Sequence, residues 1–212
     1  MREKIRTHPL GFVLVWMGLY LIAFYLTGHI LTPRYEVAVT FDDRIPFCAP
    51  FVIFYKAWFL YFPGILILDL KKHRREYFEL AFVLLTGMTL SVIFYALFPN
   101  AFSGRPVILK DDIFSKAVQS LFETDPPTNA FPSIHAGSSM AVLLVTAGSR
   151  EMRKNRPLVG LCGLMTTLIS LSTLFIKQHS VIDMLSGFVL NALLFVLYCR
   201  TETGRRFIDS LL

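Results

Sequence analysis

The sequence predicts an all-α integral membrane protein: a bundle of six transmembrane helices with a short amphipathic helix in its extracytoplasmic loop. Three observations predict it. Of 212 residues, 54% are hydrophobic and only 17% charged, too little polar surface for a water-soluble domain of this size. Five stretches of about 20 residues run with few charges, and a sixth is interrupted only at its start. The basic residues gather in alternate loops, as they do around membrane spans. The same composition excludes a disordered chain, a coiled coil and a secreted disulfide scaffold. Cys48, Cys162 and Cys199 are odd in number and far apart, the last two within apolar runs.

The first span, residues 10–31, follows Arg2, Lys4 and Arg6 and so imitates a secretory signal. Its apolar run is too long for one and no small-x-small cleavage site follows, so it is read as a retained anchor. Further spans are expected over 51–70, 78–98 and 133–149. From Leu158 to Cys199 the chain is one apolar stretch. As a single helix it would measure about 63 Å, twice the hydrocarbon core of a bilayer, so it must turn back. Lys177-Gln178-His179-Ser180 is its only polar interruption, which places the turn there without Gly or Pro and gives spans 157–177 and 179–199. Residues 1–212 are expected to form one such domain, with no internal repeat or low-complexity segment.

Six spans put both termini on one side. Arg2, Lys4 and Arg6 lie there, with Lys71, Lys72, Arg74 and Arg75 in one loop. Arg150, Arg153, Lys154 and Arg156 lie in another, and Arg200, Arg205 and Arg206 at the C-terminus. These make up two thirds of the 21 basic residues, so this side is expected to be cytoplasmic. A short core bundle with little added sequence suggests a plasma (inner) membrane. Acids divide almost evenly, so the net charge of +6 reports topology, and a nucleic-acid partner is unsupported. The loop from Pro99 to Phe131 falls outside. Within it Ile113, Phe114, Ala117, Val118, Leu121 and Phe122 recur at helical spacing behind the candidate caps Asp111 and Asp112. This predicts a helix lying in the membrane interface, as a cover or as a lid over a headgroup.

Three polar segments fall on that outer face: Arg105-Pro106, Pro132-Ser133-Ile134-His135, and Lys177-Gln178-His179 with Asp183. Ionisable groups at membrane depth are costly, and so are candidates for function. His179 and Asp183, four apart, share a helix face, so the carboxylate can hold Nδ1–H and leave Nε2 free as nucleophile or base. His135 comes from a different helix and is placed to flank a bound group. The fourth and sixth spans both run inward, so both helix N-termini point at the site and favour an anion. Ser133 offers a hydroxyl and a backbone donor, and Arg105 and Lys177 offer charge, Arg105 as a planar fork. Together these describe a phosphoryl-transfer site. The pattern calls for no cofactor or metal, since two His and one distal Asp are too few ligands for more than a weak Zn site. His8, His29 and His73 read as residues of the interfacial belt. Asp125 and Asn129 read as turn residues, and Asp42, Asp43 and Arg44 as a solvated loop. Gly137 and Ala141, with Ser138 and Ser139, read as close helix packing.

At these residues the chain resembles the type 2 phosphatidic acid phosphatase superfamily. That family's pattern is Lys-x6-Arg-Pro, Pro-Ser-x-His and Ser-Arg-x5-His-x3-Asp on a six-helix bundle. Here it stands as Arg105-Pro106, Pro132-Ser133-Ile134-His135 and Ser172-Thr173-x5-His179-x3-Asp183. Phe98 holds the first block's Lys position and Thr173 the third block's Arg position; Lys177, four residues after Thr173, is placed to return a cation. The strings from Asn129 and Ser172 look most like the inositol phosphorylceramide synthase-related branch, which includes phosphatases and headgroup transferases.

The resemblance implies that His179 forms a phosphohistidine while Asp183 orients it. His135 is then the general acid, with Arg105, Ser133 and Lys177 on the phosphate oxygens. The reading is a lipid phosphate or pyrophosphate phosphatase. A headgroup phosphotransferase and a non-catalytic lipid-binding or transport protein are its rivals.

Overall fold

In hydrocarbon a backbone N–H or C=O finds no water, so apolar runs satisfy these groups internally as helices. The computed structural model describes residues 2–212. Its helices are α1 (Arg2–Thr7), α2 (Pro9–Ile30), α3 (Val52–Lys72), α4 (Arg74–Leu97), α5 (Ile113–Thr124), α6 (Ile134–Gly148), α7 (Arg156–Phe175), α8 (Val181–Phe195) and α9 (Glu202–Asp209). A π-turn, Val196–Arg200, extends α8. Among the described residues, five helices are long and apolar enough to cross a membrane: α2, α3 with the turn before it, α4, α7, and α8 with the turn after it. On α2, side chains such as Leu14, Val15, Leu19 and Ile22 face outward, as a lipid-facing helix requires.

The apolar helix over the expected fourth span is shorter than the others. It has 15 residues, about 22 Å against a hydrocarbon core of about 30 Å. The cause is its position: α6 is wrapped by α3, α4, α7 and α8, so its ends meet protein. It stops where Ser149 turns extended and its hydroxyl takes the amides of Glu151 and Met152, both at 3.1 Å. α6 and α8 approach closely. A Cβ at Gly187 would lie 2.3 Å from the Ser133 carbonyl oxygen, and one at Gly137 would lie 2.9 Å from the Gly187 carbonyl oxygen. Only glycine permits that spacing.

Helix ends follow local chemistry. Asp112 caps α5 through the amides of Phe114 and Ser115, at 2.9 and 3.1 Å, and Asn155 caps α7 through Leu158 at 3.2 Å. Each such cap is worth about 1 kcal/mol. The turn between α7 and α8 runs through Ile176–Ser180, where the polar interruption lies. It manages without glycine because Lys177 itself takes a left-handed φ of 58°. The Thr173 carbonyl then accepts from the amides of Gln178 and His179, at 2.9 and 3.1 Å, which closes the end of α7.

Where α2 and α4 end, β1 (Tyr35–Glu36) and β2 (Asn100–Ala101) form a two-residue parallel pair. The buried Asn100 accepts from the amides of Ala130 and Phe131, at 2.9 and 2.8 Å, and so pins the segment leading into α6. Tyr95 adds a bond from its hydroxyl to the Pro132 carbonyl. The apolar face of α5 packs on protein: Val118 is fully buried in a cluster with Ala49, Tyr55 and Ile176, while Ile113 stays 75% exposed. At the opposite end Arg75 pairs with Glu79 at 3.0 Å and with Asp209 of α9.

Candidate active site

A cavity of about 500 Å³ lies below the segment that joins α5 to α6. Both α2 and α3 pack on α4, and the cavity occupies the gap between them. Its deep part is apolar and aromatic, with Met17, Tyr20, Trp58, Phe62 and Met88 among its walls. Its upper part carries Arg105, Asp125, His135, Gln178 and His179. A long apolar well under a small polar mouth suits a ligand with a polar head and a hydrocarbon tail.

His179 sits just ahead of α8. Its Nδ1 lies 3.4 Å from Asp183 Oδ2, and that same oxygen accepts the Ser180 amide at 2.8 Å. Asp183 is fully buried and serves as the third residue of a capping box with Ser180, so the helix start itself aims the carboxylate at the imidazole. Its Oδ1 has no partner. His135, in the first turn of α6, lies 6.0 Å from His179 between ring centroids. The rings of Tyr55 and Trp58, each 4.2 Å away, hold it in place. The indole is itself fixed by a 2.7 Å bond from Nε1 to Ser138 Oγ. His135 Nε2 is buried without a partner, a nitrogen available to a ligand.

Of the three residues expected on phosphate oxygens, the structure brings only Arg105 to the cavity. Its guanidinium stacks 4.5 Å from the centroid of Phe122 and donates to the carbonyls of Phe122 and Asp125, at 3.3 and 2.8 Å, and to Gln178 Oε1. Burial pulls Arg105 below its ordinary pKa, against the raising influence of Asp125. Ser133 does not line the cavity. Its hydroxyl caps α6 through the Ala136 amide at 3.4 Å, and its own amide donates to the Asp183 carbonyl at 2.9 Å, tying α6 to α8. Lys177 turns away, because its left-handed backbone directs Nζ to the Asp42 carbonyl at 2.6 Å. The amides at the start of α8 are also taken, Val181 by Asp42 at 3.0 Å and Ile182 by Ser180 Oγ at 3.4 Å, so that helix end offers an anion less than expected.

Other residues take the places these leave. Asp125, expected to be a turn residue, lines the cavity and accepts from the Tyr55 hydroxyl and Gln178 Nε2, both at 3.1 Å. Burial pushes its carboxyl above the usual carboxylate range, and the Tyr55 bond and Arg105 offset this only in part. Asp42, expected in a solvated loop, is buried against Ser180. Asn129 holds a left-handed φ of 56° and bonds α2 through the Phe24 carbonyl at 3.0 Å. Phe98 stacks on Phe94 beside the tilted ring of Tyr35, and Thr173 is buried with its hydroxyl on the Ser170 carbonyl, so neither lines the cavity. An acid in a Pro-rich loop carries no local signal of burial, which is why Asp125 was not singled out by its sequence context.

No curated protein and no solved structure matches the chain. The family model of the PAP2 superfamily matches residues 80–206, which holds α6 through the π-turn together with His135, His179, Asp183 and Arg105. That match spans more than half of the sequence, and the chain therefore belongs to the PAP2 superfamily, whose chemistry is phosphatase or phosphotransferase action on phosphate esters.

Proposed function

We propose that the protein hydrolyses a lipid phosphate or lipid pyrophosphate on the extracytoplasmic side of a plasma (inner) membrane, through a phosphohistidine on His179. One observation carries the reading: His179, backed by a buried carboxylate, faces an unpartnered nitrogen of His135 across a single cavity with a lipid-sized apolar well. Nε2 of His179 attacks phosphorus while Nδ1–H stays on Asp183, which stabilises the positive charge developing on the ring. His135 protonates the departing oxygen, then takes the proton of the incoming water. Arg105, with the first amides of α6, holds the equatorial oxygens where transition-state charge is spread. The chain is read as crossing the membrane six times, α6 included, with both termini cytoplasmic.

A second observation favours transfer of a headgroup to a lipid alcohol. The cavity pairs one guanidinium with one carboxylate, Asp125, a balance better suited to a monoanionic diester than to a dianionic monoester. In that reaction the lipid hydroxyl replaces water. Purified protein is incubated in EDTA with a panel of lipid phosphates and pyrophosphates, with and without diacylglycerol or ceramide, and free phosphate and new lipid are both measured. Phosphate release without an acceptor, lost in His179→Ala, is expected. New phospholipid formed only with an acceptor would establish transfer instead, and equal turnover by wild type and His179→Ala would overturn both.

A further inference from the structure

We infer that Asp42 is a positioning residue for the nucleophile, its carboxylate fixing the turn that carries His179. The inference rests on the phosphohistidine reading above. Asp42 lies in the loop between α2 and α3, 138 residues before Ser180. It is only 4% exposed, unusual for an acid in a loop. Its Oδ2 accepts from Ser180 Oγ at 2.6 Å and from the Val39 amide at 2.8 Å, and its Oδ1 accepts from the Val181 amide at 3.0 Å. Its backbone carbonyl accepts from Lys177 Nζ at 2.6 Å. One residue therefore holds positions 177, 180 and 181, on both sides of His179. It does so from outside the cavity, without being among the residues that line it.

The turn needs such a clamp. Lys177 stands at a φ of 58° without the freedom of glycine, a conformation that side chains disfavour. Its bond to the Asp42 carbonyl holds it there. Ser180 links two carboxylates, its hydroxyl donating to Asp42 and its amide to Asp183. Any slackening at Asp42 therefore moves the imidazole and the carboxylate that orients it relative to phosphorus. A displacement on the order of 1 Å costs about 10²-fold in rate. A simple helix cap at the same place would affect stability and leave turnover per folded molecule unchanged.

Full-length protein in detergent is assayed on mixed micelles of phosphatidate and, separately, of a polyprenyl diphosphate, with Asp42→Ala, Asp42→Asn, Ser180→Ala, the Asp42→Ala/Ser180→Ala double variant and His179→Ala side by side. Folded fraction and melting temperature are recorded for each. Asp42→Ala is expected to lower kcat by about 10²-fold with KM within about 2-fold, the signature of lost alignment. Asp42→Asn, which keeps an acceptor oxygen, is expected to lose less. Adding Ser180→Ala to Asp42→Ala is expected to cost little more, because both act through one contact. If Asp42→Ala does not yield folded protein, Asp42→Asn and Ser180→Ala carry the same comparison. Normal kcat per folded molecule in these variants, with only the melting temperature reduced, overturns the inference and leaves Asp42 a stabilising cap. Turnover that survives His179→Ala, or its absence from wild type on both substrates, overturns the phosphohistidine reading and the inference with it.

Discussion

The polar residues around the cavity are shared between holding the fold and meeting a ligand. Arg105 spends three donor contacts on two carbonyls and Gln178, yet its Nε remains buried without a partner. A planar fork held in this way offers a fixed direction to a phosphate oxygen, which a lysine cannot reproduce. Arg105→Ala is expected to lower kcat/KM by about 10²- to 10³-fold, and Arg105→Lys to recover little of it; steady-state kinetics on the same micelles checks both. Asp125 allows a prediction with a definite sign. Because burial raises its carboxyl above the unfolded value, wild type carries no penalty from this group below the unfolded pKa, and carries it in full above the folded one. Asp125→Asn removes that titration, so its melting temperature relative to wild type should rise on going from pH 4 to pH 7.5. A difference that stays flat or falls would contradict the assignment. At this scale the histidines and Asp183 were legible in sequence as ionisable groups at membrane depth, although His179 sits just ahead of α8 rather than on one helix face with Asp183. Asp42, Asp125, Tyr55 and Gln178 were not, because contacts spanning 53 to 138 residues leave no local pattern.

Among the elements, α6 and α8 carry the geometry of the site. Their backbones meet at Gly137 and Gly187, and the Ser133 amide on the Asp183 carbonyl locks the two helix starts together. Gly187→Ala puts a methyl against the Ser133 carbonyl, and is expected to destabilise by about 1–3 kcal/mol and to reduce kcat by separating His135 from His179. Thermal unfolding with parallel kinetics measures both effects, and an unchanged protein would refute the close-packing account. Apolar run length and charge placed the long helices within a few residues of their bounds. The bounds of α6, Ile134–Gly148, fall within one residue of the expected 133–149, but its enclosure by neighbouring helices is invisible to hydropathy. The reversal between α7 and α8 was located by its polar residues. Its mechanism, a lysine in a left-handed conformation held by a distant loop, required the fold.

For the molecule as a whole, the proposed topology puts the cavity between α2 and α3 at the end opposite the basic loops, on the extracytoplasmic side. In a background lacking Cys48, Cys162 and Cys199, a single cysteine at position 103 should react with a membrane-impermeant maleimide added to intact cells. Reaction only after permeabilisation would reverse the topology. The proposed chemistry is covalent, with phosphate passing through His179. Rapid acid-free quenching of the enzyme with lipid substrate labelled at the reacting phosphate tests it most directly. A protein-bound phosphate that is stable in alkali and labile in acid is expected, formed within the first turnover and absent from His179→Ala. Steady turnover with no protein-bound phosphate, or a label that persists in His179→Ala, would contradict it.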